Sequence, residues 1–270
     1  MLTLNSPAKI NLFLRILKKR PDGYHELASL FQAVSLCDFM TFEHSKRDAF
    51  ECSDPIPDNL VLKALKSFRE FTGLKFPVSI QLKKNIPIEA GLGGGSSNAA
   101  TTLFALNELA KRPLSLEQLA SLGKEIGSDV PFFFSSGTAY CTGRGEIFRE
   151  VLFKSSQYFI HKPDFGSSTQ AVYNAFNPSL SSSIPPEYLL ERFEKNNPIY
   201  LNDLEPAAFA LNPALKEYRE ALLKKGYEFV LMSGSGSSFI CKGNKENLDF
   251  KKQVKTIFRK NNEWYNIYYD

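Results

Sequence analysis

The chain has 270 residues, of which 43% are hydrophobic and 23% charged, with a formal charge of +4. That length supplies a full core for one large domain or two ordinary ones, and the composition is that of a soluble globular protein. So mild a charge lacks the concentrated basic face of a nucleic-acid track and suits an anionic small molecule instead.

Neither a membrane partner nor a nucleic-acid partner is expected. No segment approaches a membrane span, and the N-terminus lacks the charged-then-apolar pattern of an export signal. Cys37, Cys52, Cys141 and Cys241 lie far apart with no CxxC pair, which argues against disulfides and zinc. Reduced thiols in the cytoplasm are the expectation.

From Lys9 to Ile16 the chain alternates, with Ile10, Leu12, Leu14 and Ile16 set against Lys9, Asn11, Phe13 and Arg15. This predicts a half-buried strand with Lys9 and Asn11 on one face. Taken alone, Lys9 reads as a solvent-facing strand lysine. Arg20-Pro21-Asp22-Gly23 predicts a turn, and Leu30 to Phe42 a second strand.

A helix capped by Asp58 or Asn59 carries Leu62, Leu65, Phe68 and Phe71 at helical spacing and ends at Gly73. Val78, Ile80 and Leu82 form another alternating strand. A glycine-rich loop follows, then a largely buried Ala/Leu-rich helix from Ser96 to Lys111. Ser115 and Gln118 form a capping box for the next helix, which stops near Gly127. Strands are expected at Thr138 to Cys141, Ile147 to Phe153 and Tyr158 to His161.

Ser168 or Thr169 caps a further helix, and Asn177 to Pro186 reads as a surface loop. Pro213 opens a helix that Gly226 closes. Two strands, Phe229 to Met232 and Phe239 to Cys241, flank Ser233-Gly234-Ser235-Gly236-Ser237-Ser238. Lys251, Lys252, Lys255, Arg259 and Lys260, set around Phe250, Val254, Ile257 and Phe258, read as the wet face of an amphipathic helix. The class is therefore α+β, in two units meeting near residue 155.

The most informative stretch is Pro87-Ile88-Glu89-Ala90-Gly91-Leu92-Gly93-Gly94-Gly95-Ser96-Ser97. Glycine lets a ligand approach the backbone, and exposed N–H groups feeding a helix N-terminus favour an anion. No Lys follows as a Walker loop requires, and Ser96 stands where a dinucleotide fingerprint needs Gly. Two readings stay open, a phosphate loop and a tight strand-to-helix connection. Ser96 and Ser97 can cap the helix and can also reach a phosphate or a metal ion.

Asp129, in Gly127-Ser128-Asp129-Val130-Pro131, is either a base beside an apolar wall or the cap of a short helix starting at Pro131. His25 alone reads as a hydrogen-bonding turn residue. Tyr24 and Tyr173 either stack on a flat ring or cover core.

Several segments occur in one order: Pro7-Ala8-Lys9-Ile10-Asn11-Leu12, Arg20 to His25, the glycine loop, Gly127 to Phe132, Gly143-Arg144-Gly145-Glu146, Asn202-Asp203-Leu204-Glu205 and Ser233-Gly234-Ser235-Gly236. Together they resemble the GHMP kinase superfamily from about Ser6 to Cys241. The resemblance implies an N-terminal ATP-binding domain over 1–155, like ribosomal protein S5 domain 2. It implies a ferredoxin-like C-terminal domain over 156–270, with the active site in the cleft between them.

By the same resemblance the reaction is ATP-dependent phosphorylation of an alcohol, with Mg²⁺ bridging the phosphates near Ser96 or Ser97. The glycine loop from Pro87 to Ser97 would hold ATP, Asp129 would be the base and Lys9 its cationic partner. The Lys9, Tyr24-His25 and Asp129 segments resemble the branch acting on a cytidine diphosphate-linked methylerythritol, in non-mevalonate isoprenoid synthesis. Tyr24 and Tyr173 would then sandwich the cytosine, His25 would bond its edge, and Asn11 would help place the substrate. A monomer or weak homodimer is expected. The alternatives are a mevalonate- or homoserine-type kinase, whose substrates offer no base to Tyr24-His25, and a catalytically silent nucleotide binder.

Overall fold

The alternating N-terminal stretch becomes one arm of a long antiparallel hairpin. In the computed structural model, which describes residues 1–152, 154–243, 253–260 and 263–265, β1 (Leu2–Lys19) pairs with β2 (His25–His44) along its length. The predicted turn joins them, with Gly23 at φ 85° and Asp22 accepting from the Tyr24 N–H.

The expected wet face is absent. Ser6 to Ile16 is buried on both sides, and Lys9 is only 4% exposed. Two things account for this. The register slips at Pro7/Ala8, Asn11/Phe13 and Ile16/Lys18, and such bulges re-aim side chains. In addition, Ala8, Ile10 and Leu12 share a core with Ile160, Leu189 and Leu231 from the second half of the chain. Periodicity reads one covered face; it does not see a second layer.

The first half continues through β3 (Ala49–Cys52), α1 (Leu60–Thr72), β4 (Val78–Lys83), α2 (Gly94–Leu109) and α3 (Leu116–Ile126). A 3₁₀ turn, Pro131–Phe134, then leads to β5 (Thr138–Gly143) and β6 (Ile147–Glu150). Asn59 caps α1 by accepting from the Val61 N–H, and Gly73 ends it in the left-handed region. The Ser115/Gln118 capping box forms as expected.

The strand expected to reach Phe153 stops at Glu150, and Phe153 itself lies outside the described residues. The free edge of β2 takes β5 along Leu27–Gln32 and β4 along Phe39–His44. Helix α2 is buried from Ser97 to Asn107, its alanines allowing close packing between the sheet, α1 and α3. Phe42, Phe68, Ile80, Leu103 and Phe132 belong to the core that results.

The second half comprises β7 (Gln157–His161), α4 (Thr169–Asn174), α5 (Pro186–Glu194), β8 (Leu201–Asn202), α6 (Glu205–Leu211), α7 (Pro213–Lys224), β9 (Phe229–Met232), β10 (Phe239–Lys242) and β11 (Gln253–Lys255). Its sheet runs β11-β7-β10-β9, all antiparallel. In chain order that is fourth, first, third, second, the ferredoxin-like arrangement. Strand β8 joins the first sheet beside β1, and a Val34–Thr256 bridge ties the two sheets again. The fold is α+β, and no helix among the described residues is long and apolar enough to cross a membrane.

The basic C-terminal stretch is not a helix where it is described. Gln253, Val254 and Lys255 alternate exposed, buried, exposed as β11, so a period of two prevails over the apparent helical spacing. Arg259 turns inward and donates to the Phe134 and Ser135 carbonyls. Phe250, Lys251 and Lys252 lie outside the described residues. The loop expected from Asn177 to Pro186 contains a 3₁₀ turn at Pro178–Leu180, and Ser181 and Ser182 are bonded to Asp203.

Candidate active site

The glycine loop leaves β4 and enters α2 through Gly93, the N-cap, at φ 67°. No side chain caps this helix, so its first-turn N–H groups, which have no partner within the helix, gain none from a cap. Gly94, Gly95 and Ser96 of that turn line a cavity of about 880 Å³. The two serines expected at the helix start lie inside the first turn and part ways. Ser96 faces the cavity, whereas Ser97 is fully buried and bonded to Ser6 Oγ at 2.9 Å.

Behind the loop lies an arrangement that pattern reading missed. The Asp38 carboxylate, fully buried, accepts from the Asn85 N–H at 2.6 Å and the Ile86 N–H at 2.8 Å. Its other oxygen accepts from Asn98 Nδ2 at 2.9 Å and pairs with the Lys84 ammonium. One carboxylate thus ties the chain entering the loop to the helix leaving it. Lys84 offsets its charge, without which burial would be costly. The available signal was a lone acid within the apolar run from Leu30 to Phe42.

In front, the Ser-Gly loop between β9 and β10 leans on the glycine loop. Ser233 Oγ donates to the Gly91 carbonyl at 3.1 Å, and the Ser238 N–H to that of Ala90 at 3.2 Å. Gly91 sits at φ 71°, and a Cβ there would lie 2.0 Å from the Ser233 backbone oxygen. Only glycine fits both demands. Asn202 braces this loop from behind, donating 2.7 Å bonds to the Met232 and Gly234 carbonyls. Next to it, Asp203 forms a buried ion pair with Arg15 of β1 at 2.7 Å.

Lys9 and Asp129, 120 residues apart in sequence, meet beside the loop. Lys9 Nζ lies 3.3 Å from Asp129 Oδ2, 2.7 Å from Asn11 Oδ1 and 4.4 Å from the centre of the Phe31 ring. Its backbone N–H donates to the Leu92 carbonyl, and its Cγ lies 2.9 Å from where a Cβ on Gly93 would sit. Asn11 is held in turn by Ser29 Oγ at 2.9 Å. Asp129 caps nothing: the 3₁₀ turn after it is entered through Val130 with no side-chain cap. Its carboxylate lines the cavity with 28% of the side chain exposed, against 5% for Lys9.

Tyr24, His25 and Tyr173 line the same cavity. His25 is the first residue of β2, not a turn residue, and its ring lies 5.6 Å from those of Tyr173 and Phe176. Burial, then the nearby Lys19 charge, lowers its pKa. Burial pushes the Tyr173 phenol up, and the Asp129 carboxylate adds to this. Arg144 sits over the Tyr24 ring at 4.8 Å. Ile56, Asp58 and Leu60 complete the wall, Leu60 lying beside Gly95. Among the described residues no cluster of three or more His, Cys, Asp or Glu could hold a metal ion on its own. A cation here would need oxygens from a bound ligand in addition to those of the protein.

The uncapped start of α2, the Lys9–Asp129 pair and the two-sheet α+β frame lie in a chain of the GHMP kinase class. Residues 59–137 match the family model for the GHMP kinase N-terminal domain and 187–255 that for the C-terminal domain. A relative from Protochlamydia amoebophila (strain UWE25), named 4-diphosphocytidyl-2-C-methyl-D-erythritol kinase, is 49% identical over 269 residues, covering 97% of this chain and 92% of its own.

A crystal structure of 4-(cytidine 5'-diphospho)-2C-methyl-D-erythritol kinase superposes with a TM-score of 0.79 at 36% identity, over 90% of each chain. A mevalonate kinase structure matches at 14% identity with a TM-score of 0.66, over 96% of this chain and 100% of its own, a likeness of fold alone. The chain belongs to the 4-diphosphocytidyl-2-C-methyl-D-erythritol kinase family of GHMP kinases.

Proposed function

We propose that this protein transfers the γ-phosphoryl group of ATP to the 2-hydroxyl of 4-diphosphocytidyl-2-C-methyl-D-erythritol, giving the 2-phosphate and ADP in the non-mevalonate isoprenoid pathway. The observation that carries the reading is the Lys9–Asp129 pair, set at 3.3 Å in a cavity that also holds the glycine loop and the aromatic trio. In this reading residues 1–155 form the ATP-binding unit and 156–270 the C-terminal unit. The reaction is placed in the cytosol, which the free thiols of Cys37, Cys52, Cys141 and Cys241 fit.

The loop from Pro87 to Ser96 holds the triphosphate through its N–H groups and the start of α2. Ser96, together with oxygens of the bound nucleotide, would hold Mg²⁺, which would supply neutralisation of phosphate charge. Ser97, already committed to Ser6, supports the loop from within. Asp129 takes the proton of the attacking hydroxyl as the new O–P bond forms and the bond to ADP breaks. Lys9, oriented by Asn11, offsets charge at the reacting oxygens. The transition state of phosphoryl transfer is loose, so placing these charges matters more than forceful deprotonation. Tyr24 and Tyr173 stack on the cytosine, and His25 bonds its edge.

The test is ADP release over a panel of alcohols. The cytidine diphosphate-linked acceptor is expected to turn over, with mevalonate and homoserine near background. Equal or better turnover of either small alcohol overturns the substrate assignment.

A further inference from the structure

Tyr173 stands on a weak support. Helix α4 has six residues, of which Val172 alone is buried. A helix of this length has no stability of its own, since its nucleation cost is not recovered. The Tyr173 ring packs, partly buried, against the core that includes Val172 and Leu204, and contacts outside the helix must fix its entrance. Ser168 caps the helix from within by accepting from the Ala171 N–H. The bonds that leave the helix entrance converge on one residue of the Ser-Gly loop. Thr169 Oγ1 lies 2.8 Å from Ser235 Oγ, and Ser167 Oγ donates to the Ser235 carbonyl at 2.9 Å. That loop is the one whose Ser233 rests on Gly91.

The geometry points to the Thr169–Ser235 hydroxyl pair as a positioning element, which sets α4, and with it the Tyr173 ring, against the glycine loop. This rests on the acceptor-stacking role of Tyr173 given above. Both residues also line the cavity, but their hydroxyls are committed to each other. The pair therefore acts through α4, and its effect belongs in acceptor binding and not in the chemical step. Losing one such bond costs about fivefold, the factor for a net hydrogen bond of about 1 kcal/mol.

Steady-state kinetics of the full chain test this. Thr169→Val is expected to raise the acceptor KM about fivefold, with a smaller change in kcat and no change in the KM for ATP. Thr169→Ser, which keeps the hydroxyl, is expected to restore the wild-type value. Ser235→Ala should match Thr169→Val, and the double variant should be no worse than either, because both remove one bond.

An unchanged acceptor KM in Thr169→Val, multiplied effects in the double variant, or a loss confined to kcat overturns the positioning role. Wild-type turnover of the cytidine-linked acceptor is measured first. Its absence overturns the proposed function, whereas its presence with a normal Thr169→Val overturns this inference alone.

Discussion

The glycine-loop side of the cavity and its aromatic side are built to different standards. The first is held from several directions. Asp38 ties the loop's entry to α2, Ser233 and Ser238 brace it from the second half, and the Lys9 backbone fixes Leu92. Lys9, the proposed charge partner of Asp129, is 4% exposed on a stretch of strand buried on both faces. The second side is thin. Tyr24 is 54% exposed on a turn, Tyr173 rides a six-residue helix, and His25 lies beside the Tyr173 and Phe176 rings at the start of β2. Charge placement for phosphoryl transfer tolerates little movement, while a site that must admit and release a large acceptor draws on less stable elements. Damage on the first side should therefore appear in turnover, and on the second in acceptor affinity.

The strongest test of that division is Asp129→Asn. The amide keeps the shape and much of the hydrogen bonding but cannot accept the hydroxyl proton. A positioned general base contributes roughly 10²- to 10⁴-fold, and kcat should fall within that range. Neither the ATP KM nor the acceptor KM should shift more than a few-fold. Near-normal turnover removes Asp129 as the base. A collapse of acceptor affinity with kcat preserved would reverse the comparison, by moving Asp129 to the binding side.

The parts that were legible in the sequence are those governed by local rules. The caps at Asn59 and Ser115, the glycine ends at Gly73 and Gly127, and the strand bounds around the Ser-Gly loop follow from neighbouring residues alone. The glycine loop could be read as a candidate anion site because its chemistry is contiguous. What escaped depends on pairings across the chain. The burial of Lys9 requires a second layer from beyond residue 155 and three bulges that no alternation pattern shows. Choosing between Ser96 and Ser97 required knowing that Ser6 lies under α2. The β11 strand was misread because Val254 alone carries its buried face, too few residues to separate a period of two from helical spacing. The resemblance carried the site roles; residue spacing alone left Asp129 and Tyr173 each with two readings.

On the thin side, Tyr24→Ala should be the larger perturbation. Stacking of a base on an aromatic ring contributes about 1–3 kcal/mol, so the acceptor KM should rise roughly tenfold or more. The ring is mostly exposed and its recorded ring neighbour is the Arg144 guanidinium, so thermal stability should hardly change. An ATP KM that rises in parallel would mean that the two sides of the cavity are not separable. An acceptor KM left unchanged removes the stacking role.

The smallest expected effect is on pH and concerns His25. Burial, with help from Lys19, lowers its pKa below the ordinary 6.5, so the folded protein holds the ring neutral in mildly acid solution where the unfolded chain would protonate it. The sign follows from linkage: the contribution is complete above pH 6.5 and is lost as pH falls through the depressed folded value. A neutral imidazole bonding the edge of the base should therefore keep the acceptor KM flat from pH 8 down to about 6.5. Below that, the KM should climb a few-fold, while the ATP KM, set by backbone amides, stays level. Measuring both constants across this range in the wild type and in His25→Gln isolates the group, because the variant should lose the break. A break centred at or above pH 6.5 would contradict the desolvated setting of His25. The same break surviving in His25→Gln would assign it to another group, leaving the aromatic side to bind by stacking alone.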